Sequence, residues 1–372
     1  MIRGLDSFRF LAFLAVFLFH TGYLECGYLG VQAFFVLSGF LLTPILLDMK
    51  ASLGRRQYFL NFYGRRCLRI FPLYYAGLAA AALVLLLAWQ FPALRQTQGL
   101  ASSLAELPWA LTYTSDFYQA AHSGLKHTSP LFTHFWSLAV EEQFYLVWPF
   151  FLWLAPARRQ SHWLWAIVLA GPALRAIILG LVSAGLAGGP APRPDLVVYL
   201  LPFSHLDAFA LGGLLALRRE PLPLWAPWLA AALALGAGVA SGLEWGIPNV
   251  TALGYPPFMS GAGQAVWGYS LFALAFGLAL HALRRGALLP RLFALRSLQY
   301  LGRISYGLYV FHYPVMAAVN RACGHTAPGP VRHLLMLAVT VAVSAASYEW
   351  FEKRFLRLKD RWFPTLSQGV VP

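Results

Sequence analysis

The chain has 372 residues, of which 59% are hydrophobic and 11% charged, with a formal net charge of +14. Soluble domains carry about a quarter charged residues, and apolar runs near ~20 residues recur here too often for a soluble core. This excludes a soluble nucleic-acid-binding protein and leaves the positive charge as the loop bias of a membrane protein.

Apolar runs predict an all-α, polytopic bundle of about ten transmembrane helices, at 8–24, 28–48, 70–90, 136–156, 162–186, 199–217, 222–242, 264–283, 300–320 and 331–351. The first, MIRGLDSFRFLAFLAVFLFH, is broken by Asp6 and Arg9 near its start and by His20 near its far end. Eleven residues separate Arg9 from His20, about three turns plus ~20°, so both lie on nearly one face, roughly 16 Å apart along the axis. Ionisable groups inside a membrane helix are costly and mark function by default. No small-residue cleavage site follows this run, so it is read as a retained helix rather than a signal peptide.

In GVQAFFVLSGFLL, Gly30, Ser38 and Gly39 are spaced for close helix packing or for a cavity wall. The segment 49–69 reads as a basic loop ending in YGRRCLRIFPLYY. Arg65, Arg66 and Arg69 suit either anionic lipid headgroups or a phosphorylated ligand, whose geometry matches the guanidinium fork. Residues 91–135 form the longest outer segment, long enough to fold back as a lid or a re-entrant piece.

WSLAVEEQFYLVWP places Ser137, Glu141 and Tyr145 on one helical face with Glu142 alongside. Two carboxylates entering the membrane call for a cation, with Arg9, Arg69 and Arg175 as the candidate partners. His205 and Asp207 open the sixth span, and residues 243–263 form a second outer loop. GRISYGLYVFHYP carries Ser305, Tyr306, Tyr309 and His312, with His312 read as structural. SYEWFEKRF closes the last span, its Glu349 and Glu352 meeting a basic tail, and no further soluble domain is expected.

Of the 28 lysines and arginines, 22 fall on one side of this arrangement, which places both termini in the cytoplasm. Cys26, Cys67 and Cys323 make no metal spacing and no disulfide framework, with a single Cys26–Cys323 bridge left open. No metal site, phosphate loop or nucleophile elbow is present in the pattern.

Together these strings resemble the acyltransferase-3 family of integral membrane proteins, which move acyl groups onto cell-surface and secreted glycans. The likeness covers nearly the whole chain: LDSFRFLAFLAVFLFH, GVQAFFVLSGFLL, RRCLRIFPLYY, WSLAVEEQFYLVWP, LDAFALGG, GRISYGLYVFHYP and YEWFEKRF, in the family's order. It implies a transmembrane domain over 1–352, a basic cytoplasmic tail over 353–372, and residence in a bacterial plasma (inner) membrane. It also implies an acyl-CoA donor, acetyl-CoA first, on the cytoplasmic side, and a hydroxyl-bearing glycan or other exported acceptor, lipid-linked ones included, outside.

The Arg9 and His20 pair lands on the family's essential pair. Asp6, Glu141 and Glu142 join it as candidate catalytic groups. Arg65, Arg66, Arg69, Ser38, Tyr145, Ser305 and Tyr306 are the candidate donor-binding groups. The chain departs where Gln32 replaces a frequent aspartate, His205 a frequent arginine, and Arg354 a frequent proline. The expected reaction uses His20 as general base, with an acyl-histidine relay as a variant. A secondary transporter of anionic substrates and an acyl-supplying partner of a separate transferase are the alternatives; no internal repeat of the transporter kind is visible.

Overall fold

The structure, a computed structural model, describes residues 4–91, 98–123, 129–187, 192–246, 250–260, 263–323 and 328–364. Parts of both predicted outer loops, with Arg95 and Lys126, and the end of the tail lie outside the described residues. Helices α1 (Leu5–His20), α2 (Leu29–Ser52), α3 (Arg55–Trp89), α4 (Gln98–Leu111), α5 (Ser115–Ala121), α6 (Phe135–Leu154) and α7 (Gln160–Ser183) come first. They are followed by α8 (Pro194–Leu200), α9 (Leu206–Leu217), α10 (Ala226–Trp245), α11 (Gln264–Arg284), α12 (Arg296–Arg303), α13 (Ser305–Cys323), α14 (Gly329–Ser347) and α15 (Lys353–Trp362). No strand occurs among the described residues.

Among the described residues six helices are long and apolar enough to cross a membrane, or seven if the bent α8–α9 pair counts as one. Their outward faces carry exposed apolar side chains, such as Leu83, Leu86 and Leu87 on α3 and Leu169 and Ile177 on α7. Such faces need a lipid solvent. Helices also occur at the other predicted spans, but α1 has only sixteen residues, α6 carries two glutamates, and the 300–320 span is broken at Ile304.

Two expected segments are corrected. The 49–69 stretch is helical from Arg55 onward, and α3 runs 35 residues. At 1.5 Å per residue that is roughly 52 Å, well beyond a ~30 Å hydrocarbon core, so one end of the helix must project from it. The sixth span is bent by 72° between α8 and α9. Pro202 explains the break, because it lacks an N–H and holds Leu201 in an extended conformation, φ −76° and ψ 137°.

The described chain separates into two compact units. One comprises 1–44, 119–125 and 154–303; the other comprises 45–118, 126–153 and 304–372. The first is built on contacts too close for side chains. A Cβ on Gly30 would come 2.3 Å from the Ala12 carbonyl oxygen of α1. Gly39 and Gly212 face the Phe209 and Val36 carbonyl oxygens in the same way, at 1.9 and 2.0 Å. The small residues of the second helix therefore set close packing. In the second unit, tyrosine hydroxyls stitch α3 to α6: Tyr58 donates to the Pro149 carbonyl (3.0 Å) and Tyr63 to that of Leu146 (2.8 Å).

The described part of the predicted outer segment forms α4 and α5. Helix α4 packs on α3, where Tyr74 donates to the Ala110 carbonyl at 2.7 Å. Cys26, Cys67 and Cys323 all carry thiols, so the Cys26–Cys323 bridge is not formed.

Candidate functional site

In the first unit Asp6 and Arg9 form an ion pair one turn apart on α1. Arg9 is thereby matched at short range within its own helix. His20 is the last residue of α1, half-buried, its ring 5.2 Å from that of Phe19. The negative end of the helix favours the imidazolium that forms when such a base takes up a proton. Phe19 in turn meets Tyr28 and Phe258, at 5.7 and 6.0 Å, so His20 adjoins an aromatic cluster. Ser38 is buried within α2.

The two departures from the family pattern meet in this unit. His205 Nδ1 lies 2.9 Å from Gln32 Oε1, and its Nε2 lies 2.8 Å from the Tyr199 carbonyl oxygen. Gln32 and His205 thus make a polar contact with each other inside this unit. Arg175 forms a bidentate pair with Asp207, at 3.0 and 2.9 Å, both fully buried. Arg175 is therefore a partner of α9, and its candidacy for the Glu141–Glu142 pair is withdrawn.

The second unit gathers the other candidates. The three arginines of α3 diverge because successive helical residues are turned by 100°. Arg65 is held by the C-terminal segment, donating to the Phe363 carbonyl and to Asp360 (3.1 Å). Arg66 lies over the Tyr145 ring at 5.3 Å, and Tyr145 donates to Glu141. The guanidinium of Arg66 is in electrostatic range of both Glu141 and Glu142, which makes it the cation that the two carboxylates call for. Arg69 is in electrostatic range of Glu352.

Tyr306 reaches α3 by donating to the Ile70 carbonyl at 2.9 Å, and Ser305 is buried beside it at the start of α13. The arrangement combines cations without a hydrogen-bonded carboxylate, acceptor carboxylates and phenols, and suits an anionic, polar ligand.

Several groups in this unit are placed otherwise than the sequence predicts, or carry no signal in it. Glu352 is turned inward, 8% exposed, and accepts from Ser347 at 3.1 Å, while Glu349 alone pairs with the tail, through Lys353. A π turn over Tyr348–Glu352 causes this, and such turns frequent functional sites. Gln143 donates to both Asp116 oxygens, at 3.0 and 3.1 Å, and to the Tyr113 carbonyl at 2.9 Å. Burial pushes the Asp116 carboxyl up to about 7, so it is partly protonated at neutral pH. Among the described residues no His, Cys, Asp and Glu cluster is arranged for a metal ion.

Fold and site define the class: a helical membrane protein with titratable and cationic groups inside its helices. A family model described as an acyltransferase domain (Acyl_transf_3) matches residues 2–349, and the chain belongs to that family. It is 28% identical to the peptidoglycan O-acetyltransferase OatA of Listeria monocytogenes over 94% of this chain and 55% of that protein. It is also 28% identical to the putative peptidoglycan O-acetyltransferase YrhL of Bacillus subtilis, over 99% of this chain and 56% of the relative. The O-acetyltransferase OatA of Staphylococcus aureus is 26% identical over 94% of this chain. The chain therefore spans about half the length of the curated relatives it matches. No solved structure is significantly similar to it.

Proposed function

We propose that the chain is a membrane O-acyltransferase moving an acetyl group from acetyl-CoA to a hydroxyl of a peptidoglycan-type glycan. Family membership supports the reaction class, and the relatives' names support the acceptor. The observation that carries the donor is the state of Arg66 and Arg69. Neither makes a hydrogen bond to a carboxylate among the described residues, although acidic groups surround them. Guanidinium forks held in that way suit the phosphates of coenzyme A, with Tyr145, Ser305 and Tyr306 of the same unit completing the donor site.

His20 takes the proton of the acceptor hydroxyl as its oxygen attacks the thioester carbonyl. The tetrahedral intermediate then expels the coenzyme A thiolate, which receives the proton from the imidazolium. Arg9, set by Asp6, balances donor charge, and Glu141 and Glu142 hold Arg66 in place.

Release of coenzyme A thiol, on adding the purified chain to acetyl-CoA and glycan acceptor, tests the reading against a transporter or an acyl-supplying partner. Arg66→Ala and Arg69→Ala should each raise the donor KM at least about tenfold, as charge-assisted hydrogen bonds are lost. Lysine at either position should recover only part of this. Arg65→Ala should cost about threefold or less, and lower thermal stability, because its guanidinium serves the C-terminal segment. Unchanged donor KM in both the Arg66 and Arg69 variants would reduce the cluster to a lipid anchor.

The same reading takes α1, α6 and α13 as further spans, completing ten, in a bacterial plasma membrane with both termini cytoplasmic. Residues 1–352 form the catalytic domain and 353–372 the basic tail. Cysteines introduced at 55 and 357 should then react with an impermeant thiol reagent only after permeabilisation, and one at 118 before it. Labelling of position 55 in intact cells would overturn both the topology and the cytoplasmic donor.

A further inference from the structure

Tyr113, between α4 and α5, adopts a left-handed conformation with φ 54°, which non-glycine residues rarely take. Its ring is stacked 4.2 Å from Tyr74 and 5.8 Å from Phe71 on α3, and its carbonyl accepts from Gln143 on α6. The side chain is 8% exposed, yet its hydroxyl has no hydrogen-bond partner among the described residues. An orphaned buried hydroxyl on a strained backbone is a combination the fold tolerates only where something else is gained.

The groups around that hydroxyl show what it could serve. Glu142 and Tyr306 are in electrostatic range of it. Among the described residues Glu142 makes no hydrogen bond, although the amide nitrogen of Gln143 beside it donates to Tyr113 and Asp116. The pair therefore offers one O–H donor and one carboxyl oxygen able to accept. A secondary amide presents the complement, a carbonyl to accept and an N–H to donate. Tyr74, against which Tyr113 stacks, lies eight residues beyond Arg66 on α3, about 12 Å along the axis. A pantetheine arm leaving phosphates at Arg66 and Arg69 carries its amides into that range.

We propose that Tyr113 and Glu142 form the subsite for a pantetheine amide of the acyl-CoA donor, Tyr113 donating to its carbonyl and Glu142 accepting from its N–H. The inference rests on the donor reading above and adds the residue that recognises the arm as distinct from the phosphates. An N-acetyl group on the acceptor sugar has the same amide chemistry, and the test separates the two sources.

Tyr113→Phe removes the hydroxyl and keeps both the ring stack and the backbone. Titration of the purified full chain with coenzyme A and, separately, with adenosine 3′,5′-bisphosphate, which lacks the arm, gives the first readout. The variant should bind coenzyme A about tenfold more weakly and the bisphosphate within twofold of wild type. Its ligand-free melting temperature should not fall, because no hydrogen bond is lost. Equal coenzyme A binding in variant and wild type would overturn the inference alone. So would a raised acceptor KM with unchanged coenzyme A binding, which would assign the subsite to the sugar. Wild-type protein that binds neither ligand would remove the donor reading and this inference with it.

Discussion

His20→Ala is expected to reduce acyl transfer by about 10²–10⁴-fold, the usual contribution of a positioned general base, while the chain still inserts and folds. The imidazole is half-buried at the last residue of α1, beside Phe19, so truncation removes a proton acceptor without opening a core. His312→Ala provides the contrast. That ring is fully buried, its Nδ1 2.6 Å from the Tyr309 carbonyl oxygen and its centroid 4.8 Å from that of His134. Its loss should act on folding and protein level. The rate per folded molecule in His312→Ala should then exceed that in His20→Ala by at least about tenfold, within the same range. Coenzyme A release, normalised to monodisperse protein, measures both. Folded His20→Ala protein working at the wild-type rate would sink the general-base mechanism.

Much of this architecture could be read before any coordinates, because lipid demands long apolar helices and these leave a plain record in hydropathy. The same record misled at α3. Hydropathy marks only the part of a helix that meets lipid, so the polar helix formers from Arg55 to Arg69 read as a loop. The bend between α8 and α9 was legible in principle, since Pro202 stands inside the predicted span. The divergence of Arg65 and Arg66 was legible too, as a rotation of 100° per residue. What each would face was not, because Asp360 and Tyr145 arrive from distant parts of the chain. Tyr113 lies in the stretch predicted to fold back as a lid or a re-entrant piece, and nothing in an aromatic residue's letter announces a positive φ or an orphaned hydroxyl. The Arg175–Asp207 pair spans 32 positions and two helices, beyond any local periodicity.

That pair carries the second large expected effect. Arg175→Ala should destabilise the protein by about 3–5 kcal/mol, the cost of leaving a buried carboxylate without its cation. Arg175 is 0% and Asp207 1% exposed. The guanidinium also donates to the carbonyls of Val266 (2.9 Å) and Ser204 (2.6 Å), joining α7 to α11 and to the turn before α9. Asp207 further accepts from the Ala208 N–H at 2.9 Å and from Ser270. The space is closed around it: a Cβ on Gly171 would come 2.6 Å from the Asp207 side chain. No rearranged neighbour can therefore replace the lost fork. Arg175→Lys should recover part of the loss, since one ammonium cannot meet both carboxylate oxygens in the same geometry. The double variant Arg175→Met with Asp207→Leu should recover most of it, as apolar replacement of a buried pair is often neutral or stabilising. Thermal unfolding of wild type, Arg175→Met, Asp207→Leu and the double variant closes a double-mutant cycle that measures the coupling, with Arg175→Ala and Arg175→Lys run alongside. An Arg175→Ala midpoint equal to wild type would show that the pair holds nothing. A double variant as unstable as Arg175→Ala would instead place the stabilisation in the arginine's bonds to the backbone.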